Sequence, residues 1–305
     1  MPELPEVTTT TRKLQTVLPN QKILGVWTNY ESKHYIGKEN IKDPKYFNEF
    51  KKEILNRKIK NIQRLGKNIL INIEGSKTIL VHMKMTGHLL YGDYKKVKQN
   101  GEEKWVAVEP GPQQDKFNQY IRLVFSLSNN KKLVLSDVRK FAKIMLIEGG
   151  DFKNFKDLKK LGPDPLSSNF NLEAFKNQIF KKQNGRIKNV LMNQEIIAGI
   201  GNIYSDEALW LSSVHPETQV KQIKNAELKS LLKNIKKVLR KGIDLGGDST
   251  SDYRHPDGKP GNFNHQHNAY RREGEKCLKK DCSGTILRKM VGGRSAHFCS
   301  IHQKK

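Results

Sequence analysis

Apolar and polar positions alternate through the first half of the chain. Ile59 and Ile62, then Ile69, Ile71 and Ile73, then Ile79, Val81 and Met83 mark one face of successive extended segments. A period near two puts that face on a core and leaves the other to solvent, so the pattern predicts antiparallel strands from residue 58 onward. Residues 22–30, with Ile23, Leu24 and Val26, read as an earlier strand, and strands resume at 120–127, 132–135 and 143–147. Helical spacing appears at 7–18 and again at 43–55, where Phe47, Phe50 and Leu55 follow a Pro44 start. The polar interval 91–118 holds Gly101, Pro110, Gly111 and Pro112 and reads as a loop or irregular hairpin. Many short strands with few helices predict a β-sandwich over 1–150.

The period changes after Leu161-Gly162-Pro163-Asp164-Pro165-Leu166. Short helices are predicted at 172–182, 187–192 and 204–211. A longer one covers 226–245, with Leu228, Leu231, Leu232, Ile235, Val238 and Leu239 on one face and Gly246-Gly247 closing it. Residues 248–268 are polar and loop-like. A strand at 285–290 runs into the turn Gly292-Gly293-Arg294. The fold class is therefore α+β: an N-terminal β-sandwich domain (1–150), a hinge (151–165), a helical domain (166–268) and a small terminal hairpin segment (269–305). No internal repeat is present.

Composition changes this picture in one respect. Fifty-six Lys and Arg against 31 Asp and Glu give a formal net charge of +25, spread along all 305 residues. Such a field draws polyanions, and nucleic acid leads because each phosphate contact releases counterions. The sequence shows no signal peptide and no apolar run of bilayer length, so a cytoplasmic, nucleoid-associated protein without membrane contact is expected. No cluster of carboxylates suggests a two-metal nuclease.

All three cysteines fall near the end, in the pattern Cys277-x4-Cys282-x16-Cys299-x2-His302. Two close ligand pairs separated by a hairpin-length span suit one structural zinc with Cys3His ligation. A hairpin this small needs the metal to fold. His297 is a competing ligand but fits the pairing less well. Gly199-Ile200-Gly201-Asn202 lies between two short helices, without the leading strand and third glycine of a dinucleotide motif. It fits a helix–turn–helix-like element in which Asn202 caps the second helix and free N–H groups face an anion, with Lys188 adding charge.

The opening Met1-Pro2-Glu3-Leu4-Pro5-Glu6-Val7 fits an ordinary helix start. It also fits chemistry. Removal of Met1 leaves Pro2 with a secondary α-amine; α-amines titrate at roughly 8 against roughly 10.4 for lysine, so part is uncharged and nucleophilic near neutrality. Glu3 is placed to move protons.

These pieces, with His82-Met83-Lys84-Met85-Thr86-Gly87, Asp137-Val138-Arg139-Lys140-Phe141, the stretch 198–207 and Gly293-Arg294-Ser295-Ala296-His297-Phe298-Cys299, occur together and in order. Through them the chain resembles formamidopyrimidine-DNA glycosylase, of the superfamily that also includes endonuclease VIII; Leu4 resembles the former branch. The resemblance covers the chain end to end. It implies a monomeric, bifunctional base-excision-repair enzyme whose partner is double-stranded DNA containing oxidised bases. Such an enzyme removes oxidised purines (8-oxoguanine, formamidopyrimidines) through an N-terminal proline Schiff base, then cuts by β,δ-elimination. It implies Pro2 as nucleophile, Glu3 as acid/base and Lys67 as the catalytic lysine. Met85, Arg139 and Phe141 would fill the gap left by the flipped base, and Lys188, Asn202 and Arg294 would grip phosphates. The zinc finger would use Cys277, Cys282, Cys299 and His302. The helical domain would be a helix-two-turn-helix domain, with residues 249–253 in the loop that covers the base. Two other readings are the same chemistry on oxidised pyrimidines and a non-catalytic damaged-DNA-binding protein. The interval 91–118 is longer than the family pattern.

Overall fold

A computed structural model describes residues 1–99, 101–149 and 155–305. It divides into two compact units, Met1–Phe155 with Leu245–Asn262, and Lys156–Asp244 with Phe263–Lys305. The expected hinge, 151–165, lies partly outside the described residues. The expected 166–268 domain differs from this division, because its stretch Leu245–Asn262 belongs to the first unit.

The first unit opens with helix α1 (Leu4–Val17), followed by β1 (Ile23–Thr28) and α2 (Pro44–Ile54). Strands β2 (Ile59–Leu65), β3 (Asn68–Ile73), β4 (Lys77–His82) and β5 (His88–Gly92) come next, then a hairpin of β6 (Tyr94–Gln99) and β7 (Glu102–Ala107). Strands β8 (Ile121–Leu127), β9 (Lys132–Ser136) and β10 (Lys143–Glu148) complete it. Two antiparallel four-stranded sheets result, in the orders β1-β8-β9-β5 and β10-β4-β3-β2. The predicted alternation sets their inner faces. Ile69, Ile71 and Ile73 meet Leu123, Phe125, Leu133 and Leu135 in one core that also takes Val7, Leu14 and Phe50 from the helices. Each such side chain contributes about 1.5–3 kcal/mol on burial.

Part of the interval 91–118 is the β6–β7 hairpin, which packs with the outward residues of β8 and β9. Tyr94 and Trp105 join Trp27, Leu90, Ile121, Val124 and Val134 in a second, smaller core.

The second unit contains α3 (Lys156–Lys159), α4 (Leu172–Ile179), α5 (Ile187–Met192), α6 (Asn202–Ser212) and α7 (Asn225–Asp244), then the hairpin β11 (Ile286–Val291) and β12 (Arg294–Cys299). The predicted apolar face of α7 is buried throughout, from Leu228 to Leu239. No helix among the described residues is long and apolar enough to cross a membrane.

Candidate active site and nucleic-acid interface

Helix α1 begins three residues before its predicted start. Glu3 and Glu6 form a reciprocal cap, with the Glu3 N–H donating to Glu6 Oε2 at 2.7 Å. Pro2 and Glu3 are both buried at this end. The other Glu6 oxygen, Oε1, accepts the Asp248 N–H at 2.7 Å. Tyr253 donates its hydroxyl proton to the Glu6 carbonyl at 3.0 Å and lies 3.2 Å from the Thr10 hydroxyl. Burial raises the Tyr253 pKa above the phenol range, so it remains a donor. Residues 248–253 are thereby fastened to the helix that carries Pro2 and Glu3.

Lys67 occupies the two-residue turn between β2 and β3, closed by the pair Leu65 and Asn68. Gly66 takes φ +58°, a left-handed conformation at the turn's first position that glycine adopts without a Cβ clash. Lys67 is only 5% exposed, so its charge is held inside the unit rather than waving in solvent. Asn68 pairs in turn with His82 on β4. Burial, then the charges of Lys84 and Lys67, push His82 down to about 3. Its Nδ1 accepts the Lys84 N–H at 3.0 Å. Neutral His82 thus lies near Lys67, at the head of the His82–Gly87 motif.

Met85, Arg139 and Phe141 share an exposed surface character. Met85 is 38% and Phe141 48% exposed, and the Arg139 guanidinium sits 4.6 Å from the Phe141 ring centroid. Met85 and Phe141 are thus large apolar side chains that lie outside the core. Buried Asp137 organises the loop beneath them. It accepts hydrogen bonds from the Tyr30 and Thr86 hydroxyls and, at 2.9 Å, from the Ala142 N–H. The Thr86 hydroxyl oxygen accepts the Arg139 N–H at 3.1 Å. Burial and the neighbouring Asp137 raise Tyr30 above the ordinary phenol range. Lys84 and Lys140, adjoining Met85 and Arg139, both take φ +56°. Such strain persists only where contacts enforce it; the Lys140 carbonyl accepts from buried Lys42 Nζ at 2.7 Å.

In the second unit, Gln194 shapes the turn between α5 and α6. Its Nε2 donates to the carbonyls of Met192 and Ile200, both at 2.8 Å, and its Oε1 accepts the Gly199 N–H at 2.9 Å. Gly201, not Asn202, is the N-cap of α6; Asn202 is the first helical residue. Asn202 Nδ2 lies 3.4 Å from the Ser295 hydroxyl oxygen, next to exposed Arg294 at the hairpin turn. Asn202 thus reaches the hairpin residue that follows Arg294. Lys188 does not join them. It is fully buried, and its ammonium meets the equally buried Asp206 carboxylate. The expectation that it touches phosphate is corrected: a buried ammonium needs its counter-charge, and Lys188 fastens α5 to α6. Asp206 also accepts from the His297 N–H at 3.0 Å and faces His297 Nδ1 at 2.9 Å. His297, the competing ligand, is not part of the donor group that the cysteines form with His302.

Cys277, Cys282, Cys299 and His302 form a group whose ligand atoms all lie within 4.8 Å of one another. Cys282 Sγ is 3.6 Å from Cys299 Sγ and 3.6 Å from His302 Nδ1, and Cys277 Sγ is 3.5 Å from that nitrogen. These separations match the edges of a tetrahedron with bonds of about 2.0–2.3 Å. His302 Nε2 lies 3.2 Å from the Trp210 carbonyl oxygen, which fixes Nδ1 as the metal-facing atom. The donor set fits a metal ion.

Comparison with known proteins follows the same lines. The family profile described as the formamidopyrimidine-DNA glycosylase N-terminal domain matches residues 1–144, and that of the glycosylase H2TH domain matches 161–254. The formamidopyrimidine-DNA glycosylase of Pelotomaculum thermopropionicum is 34% identical over 304 residues, covering 100% of this chain and 99% of that protein. A Lactococcus lactis Fpg mutant complexed with DNA containing Fapy-dG superposes with a TM-score of 0.82 at 29% identity over 100% of both chains. The Lactococcus lactis Fpg complexed with abasic-site DNA gives 0.81 at 29% identity, over 99% of this chain and 100% of that one.

Proposed function

Because the chain belongs to the formamidopyrimidine-DNA glycosylase family, we propose that it excises oxidised purines from duplex DNA and then cuts the strand at the resulting site. With Met1 removed, the Pro2 nitrogen attacks C1′ of the damaged nucleotide as the bond from C1′ to the base breaks. The opened sugar is left as an iminium on Pro2. Loss of a C2′ proton expels the 3′-phosphate, and a second elimination expels the 5′-phosphate. Glu3, buried beside Pro2, carries the protons. Lys67 supplies positive charge near the leaving base and the adjoining phosphate.

The base has to leave the stack for C1′ to be reached. Arg139, Phe141 and Met85 take its place, with Arg139 hydrogen-bonding the orphaned partner and Phe141 wedging the step. Asn202 and Arg294 grip phosphates, which positions the enzyme without reading sequence. Cys277, Cys282, Cys299 and His302 would hold one Zn2+, whose contribution is to keep the β11–β12 hairpin folded. The protein acts as a monomer on nucleoid DNA in the cytoplasm.

The observation that carries this reading lies within the first unit. A buried Pro2–Glu3 start, fastened by Glu6 to the 248–253 segment, shares one fold with the exposed Met85, Arg139 and Phe141. The test uses matched duplexes bearing 8-oxoguanine opposite cytosine or an oxidised pyrimidine. Faster excision of 8-oxoguanine, weakened by Pro2→Gly with DNA binding largely retained, is expected. Preference for the pyrimidine would move the substrate class; equal loss of binding and excision in Pro2→Gly would make Pro2 structural.

A further inference from the structure

Residues 248–253 are held at one side by Glu6 and Tyr253; a second anchor comes from the interval that the sequence marks as unusually long. Arg254 is only 7% exposed. Its Nη1 donates to the carbonyls of Ser251 at 2.9 Å and Tyr253 at 2.8 Å, folding the segment's own backbone. Its Nη2 lies 3.3 Å from Asp115 Oδ2, and the guanidinium stacks 4.7 Å from the Phe117 ring centroid. The other Asp115 oxygen accepts the Phe117 N–H at 2.9 Å. One carboxylate therefore fixes both the cation and the short turn that presents the ring.

Asn118 extends the anchor. Its Nδ2 donates to the carbonyls of Pro112 at 2.7 Å and Gly258 at 3.1 Å, and its Oδ1 faces His88 Nε2 at 2.9 Å. Gly258 takes φ +84°, and a Cβ there would meet the Pro112 carbonyl oxygen at 2.7 Å, so the two backbones touch. On the other side, Lys13 Nζ reaches Asp257 Oδ2 at 2.8 Å. Between the anchors, residues 249–252 are partly or fully exposed.

We propose that Arg254 is a positioning residue for base excision: clasped by Asp115 and Phe117, it holds residues 249–252 in the shape that meets the flipped base. The proposal rests on the glycosylase reading above. The clasp orders the segment when the protein folds, so less ordering entropy is lost with each substrate. The planar fork and stacked face of arginine suit this; a lysine offers neither.

The clasp acts on a base, and an abasic site has none. Single-turnover excision of 8-oxoguanine and strand cleavage at a preformed abasic site are therefore measured side by side. Arg254→Met, Arg254→Lys and Phe117→Leu serve as variants, the last leaving the Arg254–Asp115 pair in place. Excision is expected to fall about 10- to 100-fold, as for a misplaced positioning group, with abasic cleavage unchanged and Arg254→Lys failing to rescue. Equal loss of both activities in all three variants, or no loss of either, would overturn the proposal. A wild-type protein that cleaves neither substrate would overturn the glycosylase reading with it.

Discussion

Burial, Lys84 and Lys67 hold His82 near 3 in the folded chain, against about 6.5 for an unhindered imidazole. Between those values the unfolded chain binds a proton that the folded one refuses. The stability His82 provides is present above about pH 6.5 and is lost as pH falls toward 3. Replacing it by glutamine should flatten the dependence of unfolding free energy on pH in that window, read from denaturant titrations. His88 and His255 are also lowered by burial, so a residual slope remains. An unchanged slope would mean that His82 titrates normally in the folded protein. The sequence showed the histidine but not its state. That state depends on burial that no local pattern records, and on the charge of Lys67, which comes from the turn between β2 and β3.

At the scale of elements, alternation reports burial on one face, and it located strands β2–β4 and β8–β10 closely. It said less about β6 and β7. Their Lys- and Glu-rich faces are solvated, and they pack through Tyr94 and Trp105 against Trp27. Helix α1 was placed late because Glu3 and Glu6 cap each other, a pairing that the apolar spacing does not register. The cysteine spacing was the most legible element, and the donor group has tetrahedral dimensions. Stripping metal with a strong chelator should release about one zinc per chain and unfold the β11–β12 hairpin. Hydrogen exchange would show protection lost at 286–299 and retained in β3 and β4. Full protection of the hairpin without metal would contradict the structural role given to the ion.

For the whole molecule, the charge of +25 was legible and pointed to a polyanion, but which lysines face it was not. Lys188 and Arg294 make the contrast. Arg294 is exposed at a turn, whereas Lys188 is sealed against Asp206. Arg294→Ala should weaken duplex binding and reduce the salt dependence of the logarithm of affinity by about 0.9. Lys188→Met should leave that slope intact and lower stability by about 3–5 kcal/mol, because buried Asp206 loses its lysine counter-charge and keeps only His297. Equal salt slopes for Arg294→Ala and the wild type would remove the phosphate contact. The membership of Leu245–Asn262 in the first unit was likewise hidden, since the sequence shows only a polar loop and the bonds to Glu6 come from the far end of the chain.

Borohydride trapping tests the proposed nucleophile, Pro2, most directly. The protein is mixed with a duplex carrying 8-oxoguanine opposite cytosine, the iminium is reduced, and the adduct is mapped by peptide mass. A covalent link on Pro2, with Met1 gone, is the expected result. A link on Lys67 or another lysine, or no link with either this duplex or an abasic one despite tight binding, would contradict it.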